Sequence, residues 1–131
     1  MEINPKYGVD ENLYRCSEVF FPYNADLTMT QISATELKIL YEEKLYIYDW
    51  LMNRLFPFDV STEEGWRREF ARRMKHYMIK RVLNQTDLGI ELCVPQQTIS
   101  KYLTGKGKPS LSTAIKLSRV LGCTLDYLIN F

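Results

Sequence analysis

Gln96 and Gln97 stand side by side in the sequence, with Ser100 and Lys101 following. A glutamine amide accepts from adenine N6 and donates to adenine N7, so two glutamines opening a short helix suit base edges in the major groove. From Pro95 to Thr104, Ile99, Tyr102 and Leu103 fall on one side, while Gln96, Gln97, Ser100, Lys101 and Thr104 fall on the other. One face packs and the other points outward. Beyond it, Gly105, Gly107 and Pro109 punctuate a loop carrying Lys106 and Lys108, both placed to reach a phosphate backbone beside that helix. Sequence-specific binding of double-stranded DNA is the leading chemical reading.

No other constellation competes with it. His76 is the only histidine and has no second histidine or paired carboxylate beside it, so it reads as an ordinary surface residue. Glu42 with Glu43, and Glu63 with Glu64, read as solvated faces of helices and not as acid and base pairs. Cys16, Cys93 and Cys123 are far apart, odd in number and unaccompanied by histidines. Buried free thiols are the expectation, with neither a disulfide framework nor a zinc site. There is no HExxH spacing and no nucleophile motif, and Gly105 and Gly107 lack the strand and helix that a phosphate-cradling loop requires. No enzyme, no cofactor and no metal is expected. The opening MEINPKYG has no apolar signal core and no run approaches membrane-spanning length, so the expectation is a soluble, intracellular chain without membrane contact.

The elements that must position the glutamines are legible on either side of them. Asn84 and Asp87 form a capping pair for a helix running from Gln85 through Leu88, Gly89 and Leu92. A glycine inside a helix costs roughly 1 kcal/mol against alanine, so Gly89 is best explained by close backbone approach of a neighbouring helix. Pro95 suits the first turn of the next helix. Ser110 caps a segment in which Leu111, Ala114, Ile115, Leu117, Val120 and Leu121 recur at helical spacing, closed by Gly122. Thr124 caps a last short helix bearing Leu125, Leu128 and Ile129. Upstream, Ser61 and Glu64 fit a capping box for a helix whose stripe is Trp66, Phe70, Met74, Tyr77, Met78 and Val82. Its other side bears Arg67, Arg68, Arg72, Arg73, Lys75 and Arg81, a run that reads chiefly as solvated.

With NQTDLGIEL, VPQQTISKYLTGKGKPS and AIKLSRVLGCTLDYL in this order and spacing, residues 66–131 resemble the phage repressor and Cro family of helix-turn-helix domains, also called XRE-like. The resemblance implies a five-helix bundle whose third helix enters the major groove. It places base contact on Gln96, Gln97 and Lys101, and phosphate contact on Gln85, Thr98, Lys106 and Lys108. It also implies a cytoplasmic protein of a bacterium or phage. Two departures stand out. Cys93 occupies a turn position that is usually glycine, at a cost on the order of 1 kcal/mol if its φ is positive. Met78 and Leu103 stand where many members pair an arginine with a buried glutamate, an exchange that buried ion pairs readily tolerate.

Charge separates two regions. Residues 65–131 hold 12 basic and 4 acidic residues, a balance of +8, against 5 basic and 12 acidic, or −7, in residues 1–64. That division is the footprint of a DNA reader with an appended regulatory or pairing module, the acidic part expected to face away from DNA. The junction falls in PFDVSTEE, giving an acidic region at 1–60 and a DNA-binding domain at 61–131. In the first region, YRCSEVFF (14–21) and LTMTQIS (27–33) flank the turn-like PYNAD as a hairpin. Ser33 and Glu36 then take capping-box spacing, and Leu37, Leu40, Tyr41, Leu45, Tyr48, Leu51, Met52 and Leu55 recur as in a helix, although YIYDW also reads as a third strand. The expected fold is therefore mainly α, a five-helix bundle preceded by a small α+β region of hairpin plus helix.

Eleven of the 17 aromatic residues precede residue 60, which suits either a small core or an interface, a homodimer contact above all. Two functions fit. One is a transcriptional regulator, a repressor that binds a twofold operator as a dimer. The other is an antitoxin or phage-encoded inhibitor that binds a protein partner through its N-terminal region and autoregulates through the helix-turn-helix.

Overall fold

Between residues 28 and 57 the strand period wins over the helical one. The computed structural model describes residues 26–131, together with the backbone of two short antiparallel strands, β1 (Ile3–Asn4) and β2 (Val9–Asp10). The strand expected at residues 14–21 lies outside the described residues, as does Cys16. β3 (Thr28–Ser33), β4 (Glu36–Tyr41), β5 (Lys44–Asp49) and β6 (Arg54–Pro57) form a four-stranded antiparallel sheet in that order. The strand expected at 27–33 is present as β3. The helix expected from Ser33 to Leu55 is not: that segment is β4, β5 and β6, and most of YIYDW lies in β5.

The register gives the reason. Leu37 pairs with Tyr48, Ile39 with Tyr46, and Tyr48 with Leu55, so these side chains share one face and bury together with Leu27. Apolar residues also fill off-face positions such as Ile47, so a 3.6-residue period can be traced through a segment whose true period is two. The Ser33–Glu36 spacing belongs to a turn and not to a helix cap. Ser33 Oγ accepts from the Thr35 N–H at 3.2 Å and donates to Glu36 Oε1 at 2.9 Å.

Glu42 and Glu43, expected on a helix, join β4 to β5 with φ of 49° and 66°. Consecutive left-handed residues match the twist of a tight hairpin, at a cost of roughly 1–2 kcal/mol for each non-glycine residue. Between β5 and β6, Asp49 Oδ1 accepts from the N–H groups of Leu51 and Met52 at 3.0 and 3.2 Å.

The chain divides into units spanning residues 1–58 and 59–131. The second contains α1 (Glu63–Arg81), α2 (Gln85–Leu92), α3 (Gln96–Leu103), α4 (Leu111–Leu121) and α5 (Leu125–Ile129). Their core is Phe70, Met74, Leu88, Ile99, Leu117, Leu121 and Leu128, all fully buried. Met78 belongs to the same cluster and Leu103 packs against it partly buried. No helix among the described residues is long and apolar enough to cross a membrane.

Thr62, not Ser61, caps α1, accepting from the Gly65 N–H at 3.0 Å. Ser61 instead donates its hydroxyl and its N–H to Asp59, at 2.6 and 3.2 Å, which holds the Asp59 carboxyl below its ordinary pKa. The basic run on α1 is not a uniformly solvated face. Arg72 grips Glu69 through two contacts of 3.0 and 2.8 Å, and Arg73 Nε reaches the same carboxylate at 2.6 Å. Arg73 also donates to the Tyr127 carbonyl at 2.7 Å and lies over the Tyr127 and Phe131 rings, fastening α1 to the end of the chain. His76, read from sequence as a surface residue, is buried.

Removing one partner from a buried ion cluster strands the others without compensation. Glu69→Ala is therefore expected to destabilise the second unit by about 3–5 kcal/mol in urea denaturation. A loss below about 1 kcal/mol, the range of an exposed pair, would show that the cluster does not hold α1 in place.

Candidate nucleic-acid interface

The pairing of α2 with α3 begins with a cap. Asn84 Oδ1 accepts from the Asp87 N–H at 2.8 Å while Asp87 Oδ2 accepts from the Asn84 N–H at 3.2 Å, the reciprocal arrangement that satisfies free donors at a helix start. α2 then buries Leu88, Gly89 and Leu92. A Cβ on Gly89 would lie 3.1 Å from the Val94 carbonyl oxygen and 3.8 Å from Gln96 Cα, so the glycine admits the backbone leading into α3. The Gly89 carbonyl in turn accepts from the Val94 N–H at 3.1 Å.

Cys93 makes the turn in a left-handed conformation, φ 55° and ψ 43°. Its thiol is exposed, whereas buried thiols were expected from the sequence; Cys123 is partly buried. A turn residue that must reverse the chain at the surface has no core to enter. Pro95 is the residue before α3 rather than its first helical residue, with φ −60° and ψ 146°.

α3 buries Ile99 and Tyr102 against the core and leaves Gln96, Gln97 and Lys101 exposed. Burial raises the Tyr102 phenol above its ordinary pKa, so it stays neutral where it packs edge-on against Phe70. Gln85, at the start of α2, joins Gln96, Gln97 and Ser100 around one open surface depression of ≈ 460 Å³. The structure thus brings together three of the residues expected to contact DNA, with Ser100, expected from the sequence to face outward, beside them. Thr98 lies half-buried on α3, one residue beyond the glutamines.

The loop after α3 carries the two remaining candidates in different settings. Lys106 is exposed and forms no ion pair among the described residues. Lys108 lies 3.7 Å from Glu63 and 4.9 Å above the Trp66 ring. Spacing within α3 made its outward residues legible, but no local pattern marks a contact between residues 63 and 108.

A non-glycine residue held at positive φ costs on the order of 1–3 kcal/mol. Cys93→Gly is expected to raise stability by about 1 kcal/mol in urea denaturation, the relief of strain exceeding the added entropy of the unfolded chain. Unchanged or lowered stability would show that Cys93 carries no strain.

Residues 74–128 match the helix-turn-helix family HTH_3. Over 61 residues the chain is 33% identical to the SPbeta prophage-derived uncharacterized HTH-type transcriptional regulator YonR of Bacillus subtilis (strain 168), an alignment covering 47% of this chain and 56% of that protein. The chain thus spans little more than half the length of this relative. The fold is similar in part to the crystal structure of the hypothetical transcription factor NHTF from Neisseria, at 19% identity and a TM-score of 0.48, covering 56% of this chain and 84% of that one. A capped α2, a close turn at Gly89 and an outward polar face on α3 are the parts such a domain requires. Residues 74–128 are therefore similar to helix-turn-helix domains in sequence and in the arrangement of α2, its turn and α3.

Proposed function

We propose that this protein is a sequence-specific DNA-binding transcriptional regulator, a cytoplasmic repressor that binds a twofold operator as a homodimer. The observation that carries the reading is the cluster of Gln85, Gln96, Gln97 and Ser100 around one open depression on the helix-turn-helix. Neither Gln96 nor Gln97 is engaged by another described side chain, so both amides are available to base edges. Lys101 sits one turn further along α3, and Gln85, Thr98, Lys106 and Lys108 are assigned to phosphates.

Base readers and phosphate binders respond differently to substitution. Gln96→Ala or Gln97→Ala is expected to cost about 1–3 kcal/mol on a selected site and almost nothing on mixed-sequence DNA. Equal losses on both would remove the glutamines from base readout. Lys106→Ala is expected to weaken binding to every sequence and to lower the salt slope by about 0.9. An unchanged slope would take Lys106 off the phosphate list.

Twofold operators need two reader helices held at a fixed separation. Sedimentation of the intact chain at micromolar concentration is expected to show a dimer; a monomer under those conditions contradicts that part of the proposal.

A second reading draws on the sheet. Leu40 and Leu45 face each other across β4 and β5, both substantially exposed, beside the acidic turn Glu42–Glu43. An apolar pair rimmed by acid suits a protein partner, as an antitoxin or phage-encoded inhibitor requires. Leu40→Lys with Leu45→Lys would then abolish partner capture while leaving DNA binding intact.

A further inference from the structure

The loop after α3 is fastened to the start of α1 through a chain of contacts that ends on one of its lysines. The Lys106 and Gly107 N–H groups both donate to the Lys101 carbonyl, at 2.9 and 3.1 Å, folding the loop back on the end of α3. From α1, Arg67 Nε donates to the Gly105 carbonyl at 3.1 Å, and its Nη1 lies 3.4 Å from Glu63 Oε1. The other oxygen of Glu63 lies 3.7 Å from Lys108 Nζ, which also sits above Trp66. One carboxylate therefore bridges the guanidinium that holds the loop and the ammonium that the loop presents.

We infer that Glu63 is an internal competitor for the DNA phosphate: its carboxylate occupies Lys108 in the free protein, and the DNA backbone displaces it on binding. This rests on the DNA-binding reading of α3 and its loop. Carboxylate and phosphate oxygens are alternative acceptors for the same ammonium. The two side chains are 53% and 58% exposed, so their pair is weak, screened and open to exchange. Phosphates carry no sequence information, so the competition lowers affinity for all DNA alike. Its effect is to reduce the phosphate contribution to binding by the same factor on any sequence. Glu63 is thus a positioning residue that acts through Lys108.

The experiment is a salt titration of the full chain on a short mixed-sequence duplex, which requires no knowledge of the operator. Glu63→Gln is expected to tighten binding about threefold, and Lys108→Ala to abolish that gain in the double variant. Glu64→Gln supplies the control. It removes the same charge from the same turn, but Glu64 pairs with Arg68 at 4.0 Å and not with Lys108. Its smaller effect is expected to persist without Lys108. If Glu63→Gln tightens binding equally with and without Lys108, Glu63 merely repels the duplex and the inference is overturned. It is also overturned if Glu63→Gln changes nothing while Lys106→Ala still lowers affinity. A wild-type chain that binds no duplex even at low salt would instead refute the DNA-binding reading itself.

Discussion

The close approach of α2 to the backbone entering α3 is the constraint on which the reading surface depends. With 3.1 Å between the Val94 carbonyl and the place where a Cβ would stand on Gly89, a larger residue would push the turn outward. Cys93 accepts a left-handed conformation so that the chain can turn within that space, and the Asn84–Asp87 cap fixes where α2 begins. Strain at one residue and a missing side chain at another together aim Gln96 and Gln97 outward.

The rest of the second unit holds that geometry in place. Ile99 and Tyr102 anchor α3 in the core, and Phe70, Leu117 and Leu121 close around them. Arg73 spans from Glu69 to the Tyr127 carbonyl, so α1 and α5 are joined by charge-assisted hydrogen bonds as well as by packing. Glu63, Arg67 and Lys108 extend the same use of paired charge to the surface, where the pairs are weak enough to exchange. Depth decides the role: the buried cluster fixes structure, and the exposed one is available to a ligand.

Most of the helical unit was legible because its signals are local. Asn84, Ser110 and Thr124 are caps by residue type, Gly122 is a stop, and Gly89 sits unexplained in a helix until a neighbour approaches it. The resemblance of residues 66–131 to helix-turn-helix domains is matched by the family found over residues 74–128. The sheet was less legible for physical reasons. Its tight turn uses Glu42 and Glu43 where glycine or asparagine usually marks such a reversal, and apolar residues on both faces of β5 blur the alternation. Glu69 with Arg72 and Arg73 had the spacing of same-face pairs, yet only burial distinguishes a structural cluster from a solvated run. The contact of Glu63 with Lys108 joins residues far apart in sequence and left no local trace.

Base readout by the polar face of α3 is the proposal on which the functional reading stands. Repeated selection of the full chain against a pool of randomised duplexes, followed by sequencing, tests it most directly. The expected result is enrichment of one short motif, occurring as two inverted copies about one helical turn apart. A pool that is retained on the protein but stays random in sequence would contradict it, leaving the helix-turn-helix of this chain a binder of phosphate backbone alone.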